Sequence, residues 1–158
     1  MKPETYGLLT QMLNMQHSLN IAFAGAEYAS DPNVRLELAG IIETNEVLDL
    51  IGWKWWKKHP EKTESTVRKV QGELMDILHF GLGSLAANKL RSGLASDQLY
   101  VRPEDLEPEL AGGCKNCDDI TLCESIIYGF ATGTFHLRAF VYLATRYGLT
   151  PETIFKRY

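Results

Sequence analysis

The stretches 41-IIETNEVLDLIGWKWWKK-58 and 71-QGELMDILHF-80 each carry two carboxylates three positions apart, Glu43 with Glu46 and Glu73 with Asp76. A spacing of three puts both side chains on one face of a helix, so two such helices lying side by side gather four acidic groups in one place. Between them runs 53-WKWWKKHPEKTES-65, where Pro60 cannot sit inside a continuous helix and Thr63 or Ser65 can cap a new one. From Glu46 to Trp56, and from Thr63 to Glu73, the chain advances about ten residues, or roughly 15 Å of helix. An antiparallel hairpin therefore brings the two pairs to the same level. A single E-x-x-E is usually a solvated acidic face, but two at matched depth, set among Ile41, Ile42, Val47, Leu48, Leu74, Ile77 and Leu78, point to a shared site. Four carboxylates that share a site call for a cation. Hard oxygen donors with no accompanying thiolate or imidazole cluster suit Mg²⁺, or Mn²⁺, better than Zn²⁺. Magnesium held this way usually completes its shell with waters and substrate phosphates, which points to phosphate-ester or anhydride chemistry.

The remaining sequence sets this site in an all-α chain. The pattern predicts a helical bundle with a four-helix core and a long connection before the fourth helix, forming a single domain over residues 1–158. Leu8, Leu9, Met12, Met15, Leu19 and Phe23 recur at helical spacing within a first helix of about 5–29. Asp31-Pro32 reads as a cap and first turn for a second helix reaching about Trp56. A third spans about 63–91, a fourth 121–147, and Thr150-Pro151-Glu152 starts a short last one. The 93–119 connection holds Pro103, Pro108, Gly112 and Gly113.

With 45% hydrophobic residues and a formal charge of −4, the chain carries no electrostatic footprint for nucleic acid or an anionic membrane. The opening MKPETYGLLT lacks a signal-peptide apolar core and no run of 18 apolar residues occurs, so a cytoplasmic location is expected. Cys114, Cys117 and Cys123 share one short segment, 112-GGCKNCDDITLC-123. Their odd number and the distance to His136 favour reduced thiols in a surface connection over a zinc site or a disulfide.

Neighbours of the pairs extend the chemistry. Asp49 continues the Glu43–Glu46 row and His79 the Glu73–Asp76 row, each three positions on, as a further ligand, a partner of the ligands or part of a substrate pocket. Lys54, Lys57 and Lys58 follow the first pair, where ammonium groups could bind the outer phosphates of a triphosphate. Trp53, Trp55 and Trp56 read first as core residues, with one of them free to stack on a base.

Taken together, E-x-x-E-x-x-D…W-K-x-W-K and E-x-x-D-I-x-H-F resemble the dimeric all-α dUTPases, relatives of the MazG-like all-α nucleotide pyrophosphohydrolases. The matching residues are Glu43, Glu46, Asp49, Trp53, Lys54, Trp56 and Lys57, then Glu73, Asp76, Ile77, His79 and Phe80. The segment MQHSLN is similar to the family's L-Q-x-x-L-N, supplying Gln16 and Asn20, and YLATRYGLTPETIFKRY is similar to its Y-x-x-A-x-x-x-G-L-x-x-x-x-L-Y-x-x-Y. The resemblance implies a homodimer that hydrolyses dUTP to dUMP and pyrophosphate, with Mg²⁺ held by Glu43, Glu46, Glu73 and Asp76. Glu43 would take the proton from the attacking water. Gln16 and Asn20 would read the uracil edge, with His79, Phe80 and Trp56 as walls. Where the family pattern continues as K-N-x-L-N, this sequence stops at Tyr158, so a broader specificity, reaching dCTP or other nucleotides, is one expectation, and supply of the missing groups by a second subunit is another. Gly129 and Gly133 offer a small-x-x-x-small face for helix approach, within one chain or between two. Two other classes are open: a di-iron bundle, disfavoured because Glu-x-x-His pairs are missing, and a helical dimer without turnover.

Overall fold

The computed structural model describes residues 3–102, 105 and 116–158. Among them are six α-helices, α1 Pro3–Ala24, α2 Leu36–Ile51, α3 Glu64–Arg91, α4 Asp119–Ala131, α5 Leu137–Arg146 and α6 Pro151–Phe155, a short 3-10 turn at Ser96–Gln98, and no strand. The all-α bundle expected from the sequence is the observed architecture.

The α2–α3 hairpin is its centre. Gly52 ends α2 in the left-handed region at φ 80°, its N–H returning to the Leu48 carbonyl, a conformation that a residue with a Cβ adopts at a cost. His59 Nδ1 then bonds the Gly52 carbonyl at 2.7 Å, which folds the turn back on the helix end. Thr63, in extended conformation, caps α3 by accepting from the Thr66 N–H at 3.1 Å. Val47 and Leu48 of α2 pack with Val70, Leu74, Ile77 and Leu78 of α3 in a core that continues into Leu122, Ile126 and Phe130 of α4 and Phe140 of α5. Two glycines set the spacing. A Cβ on Gly40 would lie 2.2 Å from the Phe130 ring, and one on Gly81 would lie 2.5 Å from the Phe135 ring.

The boundaries depart from the sequence reading in four places. The first helix stops at Ala24 instead of 29, because Gly25 turns left-handed at φ 85°. Asp31 does not cap the second helix. Its carboxylate accepts the Asn33 N–H at 2.8 Å and closes a local turn, so α2 starts at Leu36. The same helix ends at Ile51, before the tryptophans. The predicted helix 121–147 is two helices, broken where Gly133 takes φ 74° and the Thr134 N–H reaches back to the Gly129 carbonyl at 2.7 Å.

That break explains both glycines of the small-residue face. A Cβ on Gly129 would sit 2.5 Å from the Thr134 carbonyl oxygen, so the residue serves close packing inside this chain, and Gly133 serves the turn. Before the fourth helix, Leu99 and Val101 are buried. The Leu99 carbonyl accepts from Asn14 Nδ2 at 3.0 Å, and the Val101 N–H donates to Thr10 Oγ1 at 2.9 Å, which ties the start of the connection to α1. Lys89, almost fully buried, donates to both carboxylate oxygens of Asp105 at 2.9 and 2.8 Å. Residues 103–104 and 106–115 lie outside the described residues, and with them Cys114 and part of the 93–119 connection. Cys117 is half-buried and free, whereas Cys123 belongs to the core of α4 instead of a surface connection, its thiol pushed up to about 12 by burial.

The two kinds of helical glycine give opposite expectations. Gly40→Ala should lower stability by about 1–3 kcal/mol, since the Phe130 ring has to move. Gly72→Ala, with nothing within 4 Å of the added methyl, should raise it by about 0.5–1 kcal/mol through helix propensity. Denaturant unfolding of both variants reads the difference, and equal effects would show that the approach of α4 to α2 does not depend on Gly40.

Candidate metal centre and nucleoside pocket

Because α2 and α3 are antiparallel and in register, Glu43 of α2 meets Glu73 and Asp76 of α3. Each of the three offers an oxygen, and these oxygens lie within 4.8 Å of one another. Glu46 stands one turn further along α2, exposed and outside that tight group, yet its charge acts on both glutamates. Burial, then the charges of Glu46, Asp76 and Glu73, hold the Glu43 carboxyl above the usual range. Glu73 is raised by burial and by Glu46 and Asp76, while a hydrogen bond with Glu43 works the other way. Like charges kept at this separation by the packing of two helices are a donor set fit for a hard divalent cation.

Next to the cluster lies a cavity of about 350 Å³. From α1 it is lined by Gln16, Leu19, Asn20, Phe23 and Ala24, by Val34 just before α2 and Leu36 at its start, and from α3 by Asp76, His79 and Phe80. Asp76 thus belongs to both cluster and cavity. Four residues singled out in the sequence, Gln16, Asn20, His79 and Phe80, meet here from two helices. They are wired together: Gln16 Nε2 donates to Asn20 Oδ1 at 2.7 Å, and His79 Nδ1 lies 2.8 Å from Gln16 Oε1. Burial lowers the His79 pKa, with the Asp76 charge opposing, so the ring is neutral near pH 7.

The lysines and tryptophans lie elsewhere. Asp49 is exposed and engaged by Lys54 Nζ at 2.5 Å and Trp53 Nε1 at 2.9 Å. Those bonds hold its carboxyl below the usual range, and it stays apart from the acid cluster. Lys54, Lys57 and Lys58 line a small cleft of about 220 Å³ with Asp49, Gly52 and Pro60. Trp55 is 82% exposed and Trp56 55%, stacked edge-to-face on each other, and Trp56 does not line the cavity. The tryptophans are surface residues because α2 ends at Gly52 before they can join its buried face.

Sequence reasoning missed Leu19, Phe23, Val34 and Leu36 as cavity walls, since apolar periodicity marks them only as helix interior. Tyr158 was missed as well: its hydroxyl donates to Gln16 Oε1 at 2.6 Å and its ring stacks on His79 with centroids 4.5 Å apart. Its one signal was the final tyrosine of the matched pattern, which names no partner.

A protein-family model described as dUTPase matches residues 8–158, nearly the whole chain. No curated protein matches it.

The raised carboxyls predict how metal-free protein responds to pH. A folded pKa above the unfolded one means that the folded state holds its proton longer, so this stability is present below the ordinary glutamate range and lost as pH rises through the raised values. Glu43→Gln removes the repulsion. In chelator at pH 7 it should melt above the parent protein, with the gap closing towards pH 4. A parent that melts at or above the variant at pH 7 would contradict the strain assigned to the cluster.

Proposed function

The chain belongs to the all-α dUTPase family, and we propose that it hydrolyses dUTP to dUMP and pyrophosphate with Mg²⁺ held by Glu43, Glu73 and Asp76, and by Glu46 once its side chain turns in from one helical turn away. The carrying observation is the double position of Asp76, in the acid cluster and in the wall of a cavity large enough for a nucleoside. A nucleoside seated there has its 5′ phosphates at the carboxylates. Along the hairpin the order is cavity, acid cluster, then Lys54 and Lys57, which is the order of base, inner phosphates and outer phosphates.

Each group has a part that its surroundings suit. Magnesium at the carboxylates would neutralise the polyphosphate and lower the pKa of the attacking water. Glu43, the cluster member whose carboxyl is raised by all three of its acidic neighbours, is the base suited to accept that water's proton. Asp76 and Glu73 fix the site from α3, and Glu46 completes the negative field. Phe80, Leu19 and Phe23 provide apolar walls, while Gln16, Asn20 and His79 supply the polar edge that a uracil needs. Lys57, with Lys54 turning from Asp49, would bind the departing pyrophosphate. Trp56, beside these lysines, would close over the phosphates when substrate is present.

We further propose a homodimer. Met15, Leu19 and Phe23 form an exposed apolar row on α1, with Leu38 and Ile42 exposed on α2. Leu19 and Phe23 also line the cavity, so a second copy laid on this face would cover the nucleoside and exclude water from the phosphates.

Pyrophosphate release from dUTP, dCTP, dTTP and UTP, with Mg²⁺, with Mn²⁺ and in chelator, tests the reading directly. Metal-dependent turnover should be highest with dUTP, and no release from any of the four would overturn it. Glu73→Gln and Asp76→Asn should each cut kcat/KM by at least ~100-fold with helicity intact, because a neutral amide cannot balance the metal charge. Light scattering should report a dimer, which Leu38→Glu converts to monomer with a raised KM for dUTP. A monomeric parent with full activity would remove the second subunit from the account.

A further inference from the structure

Three hydrogen bonds around Gln16 run in one direction. Its Oε1 accepts the Tyr158 O–H at 2.6 Å and lies 2.8 Å from His79 Nδ1, while its Nε2 donates to Asn20 Oδ1 at 2.7 Å. An amide oxygen only accepts, so His79 carries its proton on Nδ1, and Nε2 is left as an acceptor with no protein partner among the described residues. Gln16 and Asn20 are both buried, and Asn20 Nδ2 makes no hydrogen bond of ordinary geometry among the described residues, its interaction with the Tyr28 hydroxyl falling short of one.

The same chain of groups can run the other way. Turning both amides over would give Asn20 Nδ2 the Gln16 oxygen as its acceptor, and would demand the opposite tautomer at His79 to accept from Gln16 Nε2. The cost falls on Tyr158. Its hydroxyl would face an NH₂ group and its hydrogen would lose its acceptor, in a site where the ring is wedged between α1 and His79. The phenol hydrogen is thus the group that holds the network in the observed direction.

We propose that Tyr158 is a positioning residue that sets the polarity of the base pocket: through Gln16 it holds His79 as the Nδ1–H tautomer, so that Nε2 accepts from the base and favours a pyrimidine bearing N3–H over cytosine. The specificity half rests on the uracil reading above. Uracil carries a hydrogen on N3, whereas cytosine has a lone pair there, so the acceptor that receives the first repels the second. A site built on a fixed donor–acceptor pattern discriminates far more strongly than an apolar wall, because the wrong base leaves buried polar groups unpaired. Nothing in this assignment moves a proton during the reaction. Tyr158 acts through two other side chains.

Tyr158→Phe keeps the ring on His79 and deletes only the hydroxyl. Histidine labelled with ¹⁵N in the full chain, free of metal and nucleotide, distinguishes the two tautomers by the shifts and couplings of the ring nitrogens. The parent protein should show Nδ1–H at His79, and the variant Nε2–H or an exchanging mixture. With turnover measured in parallel, the ratio of kcat/KM for dUTP to that for dCTP should fall at least ~10-fold in the variant. An Nε2–H tautomer in the parent, or an unchanged tautomer in Tyr158→Phe, overturns the proposal. A switched tautomer with an unchanged ratio overturns its specificity half. A protein inactive on dUTP would count against the hydrolase reading, while the tautomer measurement would still decide the role of Tyr158.

Discussion

The structure depends on apolar packing that forces like charges together. Val47 and Leu48 of α2 lock against Val70, Leu74, Ile77 and Leu78 of α3, all buried, and Glu43, Glu73 and Asp76 ride on the rim of that seam. Burial of each such aliphatic side chain contributes about 1.5–3 kcal/mol, so several together exceed the repulsion of a few half-exposed carboxylates. The acids therefore cannot move apart without unpacking the hairpin. The carboxyls of Glu43 and Glu73 respond by holding protons above the usual range, and a divalent cation is the other way to relieve the same stress.

The second consequence of that seam is direction. Since α3 continues past Asp76 to His79 and Phe80, the helix that carries two of the acids also carries one wall of the cavity. The other wall comes from α1, whose buried face supplies Gln16 and Asn20. A ligand that fills the cavity is thereby aligned with the acid cluster without any loop having to place it. The cost is a polar network buried between helices, and it is met by partners drawn from far along the chain, Gln16 with His79 and Tyr158.

Glycines decide where this scaffold bends. Gly52 ends α2 and sends the tryptophan segment to the surface, where Asp49, Trp53 and Lys54 hold one another. Gly133 splits the expected long helix so that α5 can turn back. The corner is tied by Ser125 and His136 at 2.9 Å, with the Gly129 backbone close against the turn. A continuous helix through residue 133 would carry Phe135 away from Gly81, and with it the contact that seats the corner on α3.

Periodicity along the sequence was enough to determine the all-α class, the α3 boundaries and the shared face of each carboxylate pair, and it foresaw the meeting of Glu43 with Glu73 and Asp76 although the helix counted to Trp56 ends at Ile51. Motif resemblance named Gln16, Asn20, His79 and Phe80 as one group but could not say how they touch. Only the tertiary structure decided that Glu46 stands off from the tight trio, that Asp49 pairs with Lys54, that the tryptophans are exposed, and that Tyr158 bonds Gln16 from 142 positions away. Helical spacing orders neighbours along one element. It carries no information on contacts that form when distant elements pack, or on where a backbone leaves the helix because a single glycine makes the left-handed turn cheap.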